Sequence, residues 1–166
     1  MKAKLIVEGQ EFDIEISDPK LQALLAPPKT GYEQVKSGKN FYAVRADGTI
    51  FEPTAGGKDN NYYDVANYYS DRAIAENNAR ADKLMRQLRR FAVEHRKGKI
   101  DWQKDLSSRK WFIYYGYGNG QLSCGFDQWI RTYSYTYFDS EDAARLAIET
   151  FHDELIWYFT EYKDSI

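Results

Sequence analysis

Tyr68-Tyr69-Ser70-Asp71, running into Arg72-Ala73-Ile74-Ala75, and Tyr137-Phe138-Asp139-Ser140, running into Glu141-Asp142-Ala143-Ala144, decide the fold. In both stretches strand-forming aromatics meet a Ser or Asp, and an Ala-rich run follows. A short polar side chain at that point accepts hydrogen bonds from the free N–H groups of a first helical turn. Alanine then continues the helix at the lowest entropic cost. Upstream of each start signal lies a strand pair. Phe41-Tyr42-Ala43-Val44, the turn Asp47-Gly48 and Thr49 to Phe51 form one hairpin. Trp111 to Tyr115, a turn over Gly116 to Gly120, and Gln121 to Phe126 form the other. Phe41–Val44 aligns with Lys110–Ile113, and Ala75 with Ala144, at an offset of about 69 positions. One β-β-α unit is therefore read twice.

The expected fold class is α+β: duplicated units of antiparallel hairpin plus long helix, packed in two layers. An N-terminal hairpin over Lys4 to Ile16 and a short helix after Asp18-Pro19 precede them. The expected divisions are residues 1–28, 29–98 and 99–166. A hairpin alone is marginal in water, so each needs its helix against it. The two units then pack together, with one antiparallel sheet covered by two long helices; a two-lobed arrangement hinged near Arg96 to Asp105 is the alternative. The first long helix is expected from about Ser70 to Arg96, with Ala81, Leu84, Leu88 and Phe91 as its buried stripe and Gly98 just past its end. Pro53 to Asn61 reads as an exposed loop, and Tyr133 to Phe138 as a further strand. The last helix starts at Ser140 and carries Ala144, Ile148, Phe151 and Leu155 on its apolar face.

A net charge of −2 exerts no global pull on nucleic acid or anionic membrane. Cys124 is the single cysteine, so no internal disulfide can form, in keeping with a reducing compartment. No signal peptide or membrane span is read, and a cytoplasmic protein is expected.

Lys29-Thr30-Gly31-Tyr32-Glu33, Asn67-Tyr68-Tyr69-Ser70, Ile100-Asp101-Trp102, Lys110-Trp111-Phe112-Ile113-Tyr114-Tyr115 and Tyr137-Phe138-Asp139-Ser140-Glu141-Asp142-Ala143 together resemble a family of uncharacterised proteins carried by bacteriophages and prophages, mostly of Gram-positive bacteria. The resemblance extends from about Lys29 to Phe159 through a spread of weak motifs. It carries no catalytic residues over. It implies a small accessory protein of a mobile element, acting in the host cytoplasm. Proteins of that setting inhibit or divert host machinery, including antiviral defence, as anti-CRISPR proteins do.

No catalytic constellation accompanies the scaffold. His95 sits among Arg89, Arg96 and Lys97, which disfavour cation binding. His152 has no second histidine one turn away, and the HExxH pattern is absent. Cys124 reads as a buried thiol with no base placed for it. Gly116-Tyr117-Gly118-Asn119-Gly120 superficially resembles a phosphate-cradling loop, but no helix follows it and a hairpin turn is the better reading. The spacing of Asp59, Asn60, Asn61 and Asp64 is not that of a calcium loop. No metal, cofactor or enzymatic activity is expected.

Two features remain. The chain has 14 Tyr, nine Phe and four Trp, more rings than a core of this size needs. Tyr114 and Tyr115 are neighbours on a strand and point to opposite faces, so some rings must reach the surface. The second feature is charge asymmetry. Arg80 to Lys99 holds eight bases against two acids, and Asp139 to Ile166 eight acids against two bases. The leading expectation is a stoichiometric binder of a host protein, with Tyr117, Trp129, Tyr133, Tyr135, Glu154 and Glu161 on the contact surface. The alternative is a nucleic-acid-binding module in which Lys83, Arg86, Arg89, Arg90 and Lys97 hold phosphates and tyrosines stack on bases. The bland reading of the same helix is a solvated face, or one paired with the acidic helix of the other unit. An exposed aromatic strand can also bury itself in a homodimer.

Overall fold

The computed structural model describes residues 2–7, 9–25, 29–57, 60–103, 105–132 and 136–162. It is a mixed α and β structure with two compact units, Met1–Thr30 and Gly31–Ile166. In the first, β1 (Lys2–Val7) pairs antiparallel with β2 (Gln10–Glu15), and α1 (Pro19–Leu25) follows. Asp18 Oδ1 accepts the backbone N–H of Lys20 at 2.7 Å, so the expected cap forms. Leu21 of this helix is half exposed.

The second unit holds β3 (Ala43–Val44), β4 (Ile50–Phe51), α2 (Asn60–Asp64), α3 (Arg72–Glu94), β5 (Lys110–Gly116), β6 (Gln121–Asp127), α4 (Glu141–Thr150) and α5 (His152–Thr160). The strands pair β3 with β4 and β5 with β6, both antiparallel. Asp47-Gly48 makes the first turn: Gly48 has φ of 87°, and Asp47 Oδ1 accepts the Thr49 N–H at 2.9 Å. Gly120, with φ of 67°, closes the second turn by donating its N–H to the Gly116 carbonyl at 2.8 Å.

The antiparallel strands expected beneath the helices do not join into one sheet. Among the described residues there are three separate two-stranded sheets. The reason lies in the helix starts. The outer edge of each first strand takes one bridging residue, Tyr69 opposite Tyr42 and Phe138 opposite Trp111. Two residues after each bridge the chain is capped into a helix, by Asp71 and by Ser140, leaving no length for a ladder. For the same reason the expected strand reduces to Phe138 alone among described residues; Tyr133, Ser134 and Tyr135 lie outside them.

The two bridges repeat at the same offset, and so do the two caps. The preceding tyrosines also match: Tyr68 Oη accepts the Val35 N–H and Tyr137 Oη the Thr132 N–H, both at 3.0 Å. The parallels stop there and do not establish duplication of the whole unit. The hairpins differ in length, and the single helix α3 faces a pair, α4 and α5, broken at Phe151. The expected unbroken last helix is thus corrected. Phe151 sets its ring edge-on to Phe91 at 5.5 Å while its N–H still reaches the Ala147 carbonyl.

The α3 boundaries are also shorter than expected. Asp71 caps the start, and the helix ends at Glu94 with His95 as C-cap, so Gly98 lies beyond it. The stretch from Pro53 to Asn61 is not simply an exposed loop: Ala55 is buried, Asn40 bridges Thr54, and α2 begins at Asn60.

Leu84, Leu88 and Phe91 of α3, Ile113 of β5, Phe138, Ala143, Ala144 and Ala147 of α4 and Leu155 of α5 form the main core. The alanines let the helices approach closely. A second cluster joins Phe41, Ala43, Ala55 and Tyr68, with Phe41 stacked on Tyr68 at 4.1 Å. One glycine is dictated by such packing: at Gly31, φ is 88° and a Cβ would fall 2.7 Å from Ile74 Cγ1.

Candidate functional site

Helix α3 presents three stripes. Leu84, Leu88 and Phe91 face the core, and Lys83, Arg86 and Arg90 face solvent, with Lys97 exposed beyond the helix end. Arg89, Ala92 and Val93, at spacings of three and four, make a third stripe between them, and Arg96 follows just past the helix end. Against this stripe lie Lys99, Ile100 and Trp102 from the segment after α3, and Arg131, Thr132, Thr136 and Tyr137 from the segment before α4. Together they line a groove of about 640 Å³.

Among the described residues the groove has four cations, Arg89, Arg96, Lys99 and Arg131, and no acidic side chain in its lining. None of the four is ion-paired to a carboxylate among the described residues. Its apolar walls are Ala92, Val93 and Ile100, with the Trp102 and Tyr137 rings edge to face at 4.8 Å. The far end of the groove is held by hydrogen bonds. Asp139 Oδ2 accepts the N–H groups of Lys97 at 2.6 Å and Gly98 at 2.8 Å, pinning the turn between Arg96 and Lys99. Tyr137 Oη lies 3.1 Å from Asp127 Oδ2 and accepts from Thr132, which fixes the opposite wall. Behind Trp102 sits the buried Lys110 ammonium, 5.3 Å from the indole centroid, while Arg131 stands 6.0 Å from the same ring.

Of the five helix cations singled out in the sequence, Arg89 alone lines the groove; Lys83, Arg86, Arg90 and Lys97 are exposed elsewhere, with Arg90 3.7 Å from Glu94. Arg131 and Trp102 went unmarked as site residues in the sequence. No linear signal could have found Arg131, because folding alone brings it beside Arg89. Arg96 and Lys99 belonged to the basic run without being distinguished within it.

The expected protein-contact residues are scattered. Trp129 is 75% exposed beyond the end of β6, beside Ile130 at 68%. Tyr117 is exposed at the hairpin tip but tethered, its hydroxyl donating to the Phe159 carbonyl at 2.7 Å. Tyr133 and Tyr135 lie outside the described residues. Glu154 is not free for a partner: Arg80 grips it through Nε at 2.8 Å and Nη2 at 3.1 Å and lies over the Trp157 ring at 3.8 Å. This is the pairing of basic and acidic helices. Glu161 is exposed at the α5 C-cap. Tyr68 and Tyr69 are core, and Tyr62 packs against Phe41 and Phe51.

The other sequence candidates are placed as follows. His95 stacks on Phe91 at the exposed end of α3, and His152 lies exposed beside Asp153. Cys124 is half-buried rather than buried, and desolvation pushes its thiol pKa up, away from a reactive thiolate. Asp59 lies outside the described residues, and among those described no three His, Cys, Asp or Glu side chains converge. No helix among the described residues is long and apolar enough to cross a membrane. Comparison with family models, curated proteins and solved structures finds no match.

Proposed function

We propose that the chain is a non-catalytic binding protein whose ligand is a phosphate-bearing polyanion of nucleic-acid type, held in the groove beside α3. One observation carries this reading: four cations from two separate stretches of chain converge on a concave surface that, among the described residues, contains no acid. Like charges brought together repel, and the fold does not neutralise them from within. A polyanion does so and releases its counterions in the process. The net charge of −2 makes such a patch a local device rather than a by-product of a basic chain.

The test is binding of labelled DNA and RNA, each single- and double-stranded, at two salt concentrations. Wild-type protein is compared with the triple variant Arg89→Glu, Arg96→Glu, Arg131→Glu. Salt-steep binding lost in the variant supports the proposal. No binding at low salt, or equal binding by the variant, refutes it.

A second reading has its own motivation: Trp129 and Ile130 are apolar side chains left in water at one end of the β5–β6 hairpin. They suit a protein partner, and with the phage resemblance they favour stoichiometric cover of a host protein in the host cytoplasm, a defence effector among the candidates. Pull-down from a Gram-positive host with wild-type and Trp129→Ala protein tests it; identical captured sets remove it.

A further inference from the structure

We infer that the groove takes a phosphate carrying an unpaired base, from a single strand or a free nucleotide, and does not take a duplex. This rests on the proposed polyanion reading and narrows it. The walls carry the argument. Between the four cations stand Ala92, Val93, Ile100, Trp102 and Tyr137. Val93 is 56% exposed with nothing polar to offer. A site for phosphate alone has no use for such walls, since an anion gains nothing from apolar surface and loses hydration against it. A duplex keeps its bases stacked inside and presents sugar and phosphate to any flat contact. A ligand with both a charge and an uncovered flat ring uses both halves of the lining.

Size points the same way. A concavity of about 640 Å³ lies within the range of small-molecule pockets and admits a nucleotide or a short bend of strand. The rim cations can follow one phosphate chain. Arg131, its guanidinium 6.0 Å from the centre of the Trp102 indole, can meet a phosphate or a base face there.

The experiment is competition against a short fluorescein-labelled single-stranded DNA of mixed sequence at low salt. The competitors are the unlabelled strand, its duplex, adenosine monophosphate and inorganic polyphosphate. The expected result is that the strand or the mononucleotide, compared per phosphate, outcompetes both duplex and polyphosphate by about tenfold, the equivalent of one base contact. Whether the strand alone or also the mononucleotide competes tells a strand site from a nucleotide site; either supports the inference. Val93→Ser, at an exposed position, should weaken the strand several-fold while leaving polyphosphate unchanged. Duplex or polyphosphate competing as well as the strand overturns the inference and leaves the polyanion reading standing. Failure of the labelled strand and of every competitor to bind directly takes down both.

Discussion

The Lys110 ammonium is buried and has no carboxylate within ion-pair distance among the described residues. Three carbonyls cage it instead: those of Asp105, of Ser108 at 2.9 Å and of Gln128 at 3.4 Å. In the other half the aligned position is Phe41, buried by stacking on Tyr68. One site of the pattern is thus filled by an apolar ring and by a solvated-in-protein cation. Lys110→Met keeps the stem but takes the ammonium donor from all three carbonyls, of which that of Asp105 still accepts from the Ser108 hydroxyl at 3.3 Å. It should lower unfolding stability by about 2–3 kcal/mol, measured as a shift in the denaturant midpoint. Lys4→Ala, which removes an exposed pair with Glu11, should change it by less than about 1 kcal/mol. Tyr69 offers a pH test. Burial, with Tyr32 and Asp82 nearby, raises its phenol from 10.0 to about 12. The folded state then holds that proton more tightly than the unfolded chain, so its contribution is complete below pH 10 and is lost as pH rises towards 12. Tyr69→Phe cannot ionise and should show a shallower loss of stability across that window, followed by circular dichroism.

Helix α3 is the element on which the second unit is assembled. Asp71 Oδ1 accepts the N–H groups of Ala73 at 2.8 Å and Ile74 at 3.1 Å. Asp71→Ala should cost about 1 kcal/mol, read from thermal unfolding. Further along, Arg80 joins α3 to α5 through Glu154 and Trp157. A forked ion pair in solvent is worth little, but the guanidinium also covers an indole whose residue is buried. Arg80→Ala should therefore cost about 1–2 kcal/mol, and Glu154→Gln less, because only the first removes the ring contact. Nearer its C-terminus the same helix turns from holding the core to lining the groove, and that division is a matter of angle. Residues 88 and 91 point inwards, while 89, 92 and 93 point to the groove.

At the scale of the whole molecule the groove exists because two stretches distant in sequence, residues 89–102 and 131–137, meet. Its electrostatics are testable without knowing the natural ligand. If binding is found, each single reversal at Arg89, Arg96 or Arg131 should lower the slope of log affinity against log salt by about one. Lys83→Glu and Arg86→Glu, on the solvent stripe, should leave that slope nearly unchanged. Equal effects from both sets would show that the helix binds with its outer face rather than through the groove.

Hairpins, helix starts and the α+β class were legible in the chain, because each depends on contacts between near neighbours. Asp47-Gly48 sets a turn, Asp71 and Ser140 open helices, and Leu84, Leu88 and Phe91 mark a buried stripe by their spacing alone. The break at Phe151 and the separation of the sheets were not legible, since ring packing and the length left before a cap settle them only after folding. The groove was half legible. The basic run announced cations, yet its density said nothing of which would share a concavity. Only tertiary structure placed Arg131 and Trp102 opposite Arg89 and left Glu154 bound to Arg80, because Coulombic and apolar contacts act through space and take no account of distance along the chain.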